Sequence, residues 1–288
     1  MTQASAAMRG RGFIVWFVGI VVLLLVFMIF VLAGWPGTPD RCVTDKPHDT
    51  CYCEAFVAAD IGKPGVRQHV NTWFNLYAVL TSALVALMVF IDRRSGPDNR
   101  NLMRSYSWIA DLYIFIVLFL GLGSMWFHAS LMSWGGNMDG LSMYAYAAFL
   151  PVYSLRRRFV PSNLFFWIAY PSTVVVFELL HVLLSPLFGL ASLLLIMVLV
   201  LVYLGVEVAL GVTGQWFQGR AVTWILWWSA VAAILAATLF WILSQTGGAL
   251  CDPNGAFQPH GLLWHPLAGV MAVLLYFYWR EADDHAAV

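Results

Sequence analysis

Three histidines stand at the ends of long apolar runs. His128 closes Gly123-Ser124-Met125-Trp126-Phe127-His128, and His260 and His265 open the last run in His260-Gly261-Leu262-Leu263-Trp264-His265. Neutral imidazoles supplied by separate helices make a cage suited to Zn²⁺, which keeps a fourth position open for water when protein supplies three ligands. Two more polar residues belong with them. Ser124 lies four residues before His128, on the same helical face one turn away, and Asp139 follows eleven residues after His128. A metal held this way polarises a carbonyl and activates water near neutral pH. Asp139 is suited to orient that water or take its proton, and Ser124 to donate a hydrogen bond to a developing oxyanion. Each residue alone has a plainer reading: a helix-to-helix hydrogen bond for a histidine, small-residue packing for Ser124 beside Gly121 and Gly123, an N-terminal cap for Asp139. Together the five specify a hydrolytic metal centre, and polar groups kept at membrane depth mark function.

The elements that must position these residues follow from composition. Of 288 residues 61% are hydrophobic and only 10% charged, against about 25% charge in a soluble domain. The chain is therefore a polytopic membrane protein. Its net charge is zero, from 15 basic and 15 acidic residues, which excludes nucleic-acid binding by a basic surface. Eight apolar stretches, at 13–34, 72–91, 108–131, 138–155, 163–184, 187–208, 222–243 and 261–279, approach or reach the roughly 20 residues of a spanning helix. No run alternates as barrel strands do, so the fold class is all-α, a polytopic membrane helical bundle. The first run is too long for a signal-peptide core and reads as a retained anchor helix.

Orientation comes from basic residues in short loops. Arg9, Arg11, Arg93, Arg94, Arg100, Arg104, Arg156, Arg157, Arg158, Arg220 and Arg280 all fall on one side if eight spans cross. That side is cytoplasmic, with both termini inside and the histidine ends of spans three and eight near the exterior face. Segment 35–71 also carries Arg41, Lys46, Lys63 and Arg67, which makes it the weakest link in this assignment. Cys42, Cys51, Cys53 and Cys251 lie in exterior loops and in no span; four cysteines in one compartment suggest two disulfides. A bridge between segment 35–71 and loop 244–260 would tie the start of span two to the start of span eight. The cytoplasmic linker 92–106 reads as short, polar and mobile.

At this set of residues the chain resembles the alkaline ceramidases, part of a wider group of seven-helix membrane hydrolases that includes the adiponectin receptors. The resemblance rests on Gly123-Ser124-Met125-Trp126-Phe127-His128-Ala129-Ser130-Leu131, on Asp139-Gly140-Leu141-Ser142-Met143, on the late pair His260 and His265, and on Cys53-Glu54, Asn71-Thr72 and Asn75-Leu76. It covers about residues 50–280 and makes span one an extra N-terminal helix on a seven-helix core. It implies zinc on His128, His260 and His265, catalytic roles for Ser124 and Asp139, and hydrolysis of a ceramide-like N-acyl lipid to fatty acid and amine. It also implies disulfides Cys53–Cys251 and Cys42–Cys51.

Two features depart from the family pattern. The last two histidines are five apart here instead of four, about 140° around a regular helix against about 40°. Pro266 disfavours helical geometry at His265, so an irregular turn or π-bulge is expected to bring the rings together. The family's calcium segment is also altered: it reads Cys51-Tyr52-Cys53-Glu54-Ala55-Phe56, with Gln68 where a later Glu is expected. Only Glu54 keeps a charged oxygen, and Ca²⁺ takes six to eight oxygens, so calcium binding is expected to be lost or much weakened. The resulting organisation is an anchor helix (1–35), a disulfide-pinned exterior segment (36–71), a seven-helix hydrolase core (72–280) and a cytoplasmic tail (281–288). The lipid substrate would enter from the bilayer. From other classes, paired histidines also suit a haem-binding electron carrier, and the same scaffold suits a lipid receptor.

Overall fold

The computed structural model describes residues 3–44, 52–98, 101–184, 191–212 and 221–281. Cys51, Arg100, Arg220, Lys46 and the tail beyond 281 lie outside the described residues. Among the described residues there are eight long helices: α1 (Gln3–Ala33), α2 (Tyr77–Ser95), α3 (Trp108–Ser130), α4 (Ser133–Arg158), α5 (Asn163–Leu184), α6 (Ala191–Val212), α7 (Ala221–Leu243) and α8 (His265–Glu281). A short helix, His69–Phe74, leads into α2, and a turn, His260–Trp264, leads into α8. Each expected span has its helix, and the fold is an all-α polytopic bundle.

Seven of the helices, counted with these lead-ins, are long and apolar enough to cross a membrane. The other is α4, whose first half carries Ser133, Gly135, Gly136, Asn137, Asp139, Gly140 and Ser142. A lower hydropathy suits its place. It packs against α3, α5 and α6, and Tyr144, Ala148, Phe149 and Tyr153 are fully buried. Its 26 residues reach about 39 Å at 1.5 Å per residue.

Helix α4 starts at Ser133, five residues before the expected 138, because the reversal after α3 is very tight. Leu131 ends α3 in the left-handed region at φ 52°, and its N–H donates to Phe127 O at 2.7 Å. That conformation costs a residue with a Cβ about 1–2 kcal/mol. Leu131 is only 1% exposed and packs with Phe127 and Cys42, and burying a leucine is worth about 1.5–3 kcal/mol. Ser133-Trp134-Gly135-Gly136, which precedes the span expected at 138–155, is therefore the first turn of α4. The two helices then touch closely: a Cβ on Gly123 would lie 2.8 Å from Met138 O and 2.9 Å from Ser142 Cβ. Only a residue without a side chain lets backbones approach this far.

The first helix packs on α2 and α3. Phe30 stacks on Trp35 at 5.7 Å and meets Trp126 edge-on at 5.7 Å, and Trp35 Nε1 donates to Gly65 O at 2.8 Å. At the opposite end of the bundle the described part of linker 92–106 is tied down, contrary to expectation. Arg280 grips Asp92 through two 2.7 Å hydrogen bonds, and Asn101 Nδ2 donates to Trp279 O at 3.0 Å. Arg157 is not a loop charge either. It is 1% exposed and pairs at 3.3 Å with Glu207, which also accepts from Tyr278 at 2.6 Å. Counting 156–158 as a loop after span four fails because α4 continues through Arg158.

Candidate metal centre

The five-residue spacing of the late histidines is accommodated by the backbone. His260–Trp264 is a π turn, and the His265 N–H donates to His260 O, the i→i+5 bond that widens a helix by one residue per turn. The two rings thereby come to 4.7 Å between centroids. His265 itself is helical, φ −61° and ψ −54°, so the irregularity lies in the turn before it and not at the residue preceding Pro266. Pro266 falls in the first turn of α8, where its missing N–H is tolerated.

His128 reaches the same place from the end of α3, with centroids 5.2 Å from His260 and 5.6 Å from His265. All three are buried, and one ring nitrogen from each lies within 4.8 Å of the others. His128 Nδ1 meets Gln68 Oε1 at 2.6 Å. The Gln68 amide orientation is settled by its other end, since Nε2 donates to Glu54 O at 2.8 Å and Tyr52 O at 3.3 Å. An amide oxygen only accepts, so Nδ1 carries the hydrogen and Nε2 keeps its lone pair. That Nε2 is buried with no hydrogen-bond partner, as are His260 Nδ1 and His265 Nδ1. Buried polar atoms without partners are uncommon, and one on each of three converging rings fits a cation.

Ser124 Oγ lies 3.4 Å from His265 Nε2, and Asp139 lines the same cavity as both. Asp139 is in the second turn of α4, so it is no helix cap. The structure thus brings together all five residues singled out in the sequence. Ser124, Asp139 and His265 form one end of a partly open cavity of about 570 Å³, the space at its mouth included, whose remaining wall includes Met143, Leu150, Ile196, Val200, Ile234 and Met271.

Above the imidazoles lies the segment that precedes α2. The Tyr52 ring packs on His260 at 3.9 Å and faces His128 at 4.9 Å. Burial pushes its hydroxyl well above the usual phenol range, and the Asp139 charge adds to the rise. Cys53 is bonded to Cys251 with Cα atoms 5.4 Å apart, and Cys42 is also disulfide-bonded. Ala55 N donates to Pro253 O at 3.0 Å. The Glu54 carboxylate accepts from Val70 N at 2.7 Å and Asn71 N at 2.8 Å; burial raises its pKa, and these two donors hold the rise in check. Sequence reasoning missed Gln68 and Tyr52 as partners of the histidines. Sixty residues separate Gln68 from His128; the sequence singled out Gln68 only as a departure from the family's calcium segment, not as a partner of an imidazole.

A helical membrane bundle that converges buried imidazoles, a carboxyl and a hydroxyl on the head of an apolar cavity is built like a membrane-embedded lipid hydrolase. The chain belongs to the ceramidase family: that family's model, described as Ceramidase, matches residues 63–285. The match takes in Gln68, Ser124, His128, Asp139, His260 and His265, and leaves α1, Tyr52 and Cys53 outside. Membership supports a ceramide-hydrolysing membrane enzyme, an amidohydrolase. No individually curated protein matches the chain.

Proposed function

We propose that the protein is a zinc-dependent amidohydrolase that cleaves the linear amide of a ceramide-like N-acyl lipid to a fatty acid and an amine. The observation that carries this reading is the meeting of three buried imidazoles with Ser124 and Asp139 at the end of an apolar cavity. A set of three neutral nitrogens without thiolate suits Zn²⁺, which when bound supplies Lewis acidity and activates water at neutral pH. His128, His260 and His265 would hold it, and Gln68 keeps His128 in the tautomer that can bind.

The cavity wall binds the acyl or sphingoid chain and excludes bulk water. Ser124 donates to the carbonyl oxygen as negative charge gathers there. Asp139 takes the proton of the attacking water and returns it to the nitrogen as the C–N bond breaks. Water oxygen ends on the acyl carbon and its proton on the amine, so the products are a carboxylic acid and an amine.

The proposed organisation keeps both termini cytoplasmic and the metal centre near the exterior face, with α1 as an anchor, segment 36–71 as a cap and residues 72–280 as the hydrolase core. Glu54 already accepts two backbone N–H groups and Gln68 donates to two backbone carbonyls, which supports a cap held without calcium. Metal analysis of purified protein together with His128→Ala tests the whole. The variant is expected to lose zinc and amide hydrolysis together; full hydrolysis by zinc-free His128→Ala refutes the assignment.

A further inference from the structure

The cavity that ends at Ser124, Asp139 and His265 has another polar wall residue, Asn75. It stands at the joint between the short helix His69–Phe74 and α2 and is fully buried. One end of its amide is committed, with Nδ2 donating to Asn71 O at 2.8 Å. The other end is not: Oδ1 is buried without any hydrogen-bond partner. An acceptor of this kind normally finds a donor. The residue is also held in place by its backbone, since Asn75 O lies 2.7 Å from where a Cβ on Gly121 would sit. Gly121 is one turn below Ser124 on α3, so Asn75 borders the cavity close to the reacting groups. Asn75 is thus a wall residue of a mainly apolar cavity with a buried amide oxygen that lacks a donor, and a bound lipid head can bring one.

We propose that Asn75 Oδ1 accepts a hydrogen bond from an N–H or O–H group on the head of the bound lipid, and so selects acyl lipids whose head carries such a donor near the scissile bond. This deepens the hydrolase reading and rests on it. A site built to pair a substrate N–H or O–H discriminates against analogues that lack it, because the buried protein atom is then left unpaired. The donor is either the N–H of the scissile amide or a hydroxyl of the amine half. The chemistry at Asn75 is the same, and substrates separate the two.

The test measures kcat/KM of wild type and Asn75→Ala on three probes: an N-acyl sphinganine, its N-methylated amide and its 3-deoxy counterpart. Wild type is expected to lose about 10- to 100-fold on one of the two analogues, a loss typical of stranding a buried acceptor. Asn75→Ala should treat that analogue and the parent alike to within about threefold, since the pair of changes removes one shared interaction. Loss on the N-methyl probe identifies the amide N–H as donor, and loss on the 3-deoxy probe identifies the hydroxyl. Either supports the proposal. Analogue ratios that are the same in wild type and Asn75→Ala overturn it. Should Asn75→Ala not accumulate as folded protein, Asn75→Leu fills a similar volume, also withdraws the acceptor and is read identically. Zinc content separates this outcome from failure of the hydrolase reading: a wild type without zinc sinks that reading, whereas zinc-loaded Asn75→Ala with unchanged ratios sinks only this one.

Discussion

Gln68→Met removes the acceptor at His128 Nδ1 while keeping an unbranched side chain of similar length. In the native protein that contact is 2.6 Å long, and both residues are fully buried, so no water replaces it. The cost of leaving the ring N–H unpaired is about 1–3 kcal/mol. At 1.4 kcal/mol per factor of ten, zinc affinity should fall about 5- to 150-fold. Loss of outer partners of metal-bound histidines gives a similar figure, about 10- to 100-fold. The substitution also takes away the donors to Tyr52 O and Glu54 O, so the melting temperature should drop as the cap loosens. Gln68→Glu separates the two roles, because its carboxylate still accepts from His128 but cannot donate to the carbonyls. Competition with a chromophoric zinc chelator on detergent-solubilised protein measures the affinities. Folded Gln68→Met that binds zinc within twofold of wild type would show that the ring needs no such orientation, and the reasoning would fail.

Gly123→Ala places a methyl 2.8 Å from Met138 O, which forces α3 and α4 apart; a stability loss of about 1–3 kcal/mol is expected, with a fall in kcat as Ser124 and Asp139 separate. Thermal unfolding and steady-state rates check this, and wild-type values in both would refute it. A zinc-selective chelator should abolish hydrolysis and added Zn²⁺ restore it, while a calcium-selective chelator should leave the rate unchanged, read by activity before and after dialysis. Cys53→Ser should lower stability by about 2–5 kcal/mol and reduce zinc affinity, since the Cys53–Cys251 bridge holds the segment bearing Tyr52 and Glu54; equal unfolding curves for variant and wild type would dismiss that role.

The helices were legible because lipid imposes a length of apolar chain, and seven of the eight satisfy it on composition alone. Helix α4 was legible as a helix but not in its start, because Leu131 adopts a conformation that only tertiary burial makes affordable. Arg157 misled for a related reason. Its charge reads as solvated in sequence, yet Glu207 and Tyr278, distant in the chain, meet it inside the bundle. The meeting of the five candidate residues was legible through residue type and their place at the ends of apolar runs. Gln68 and Tyr52 were not, since their contacts with the imidazoles are made by a loop with no periodicity. The widened turn at the start of the last span was anticipated from the spacing of His260 and His265, but the role given to Pro266 was not borne out, since His265 before it is helical.

That widened turn absorbs one residue without disturbing the chain on either side of it. Excising Leu263 would let the stretch from His260 close as an ordinary α-helix, with the two imidazoles still about 40° apart. Because His260 keeps its place around the axis, the chain upstream keeps its phase as well, and Cys251 stays within reach of Cys53. The π turn is therefore where this chain can carry or shed one residue between its paired imidazoles while the disulfide loop holds its register.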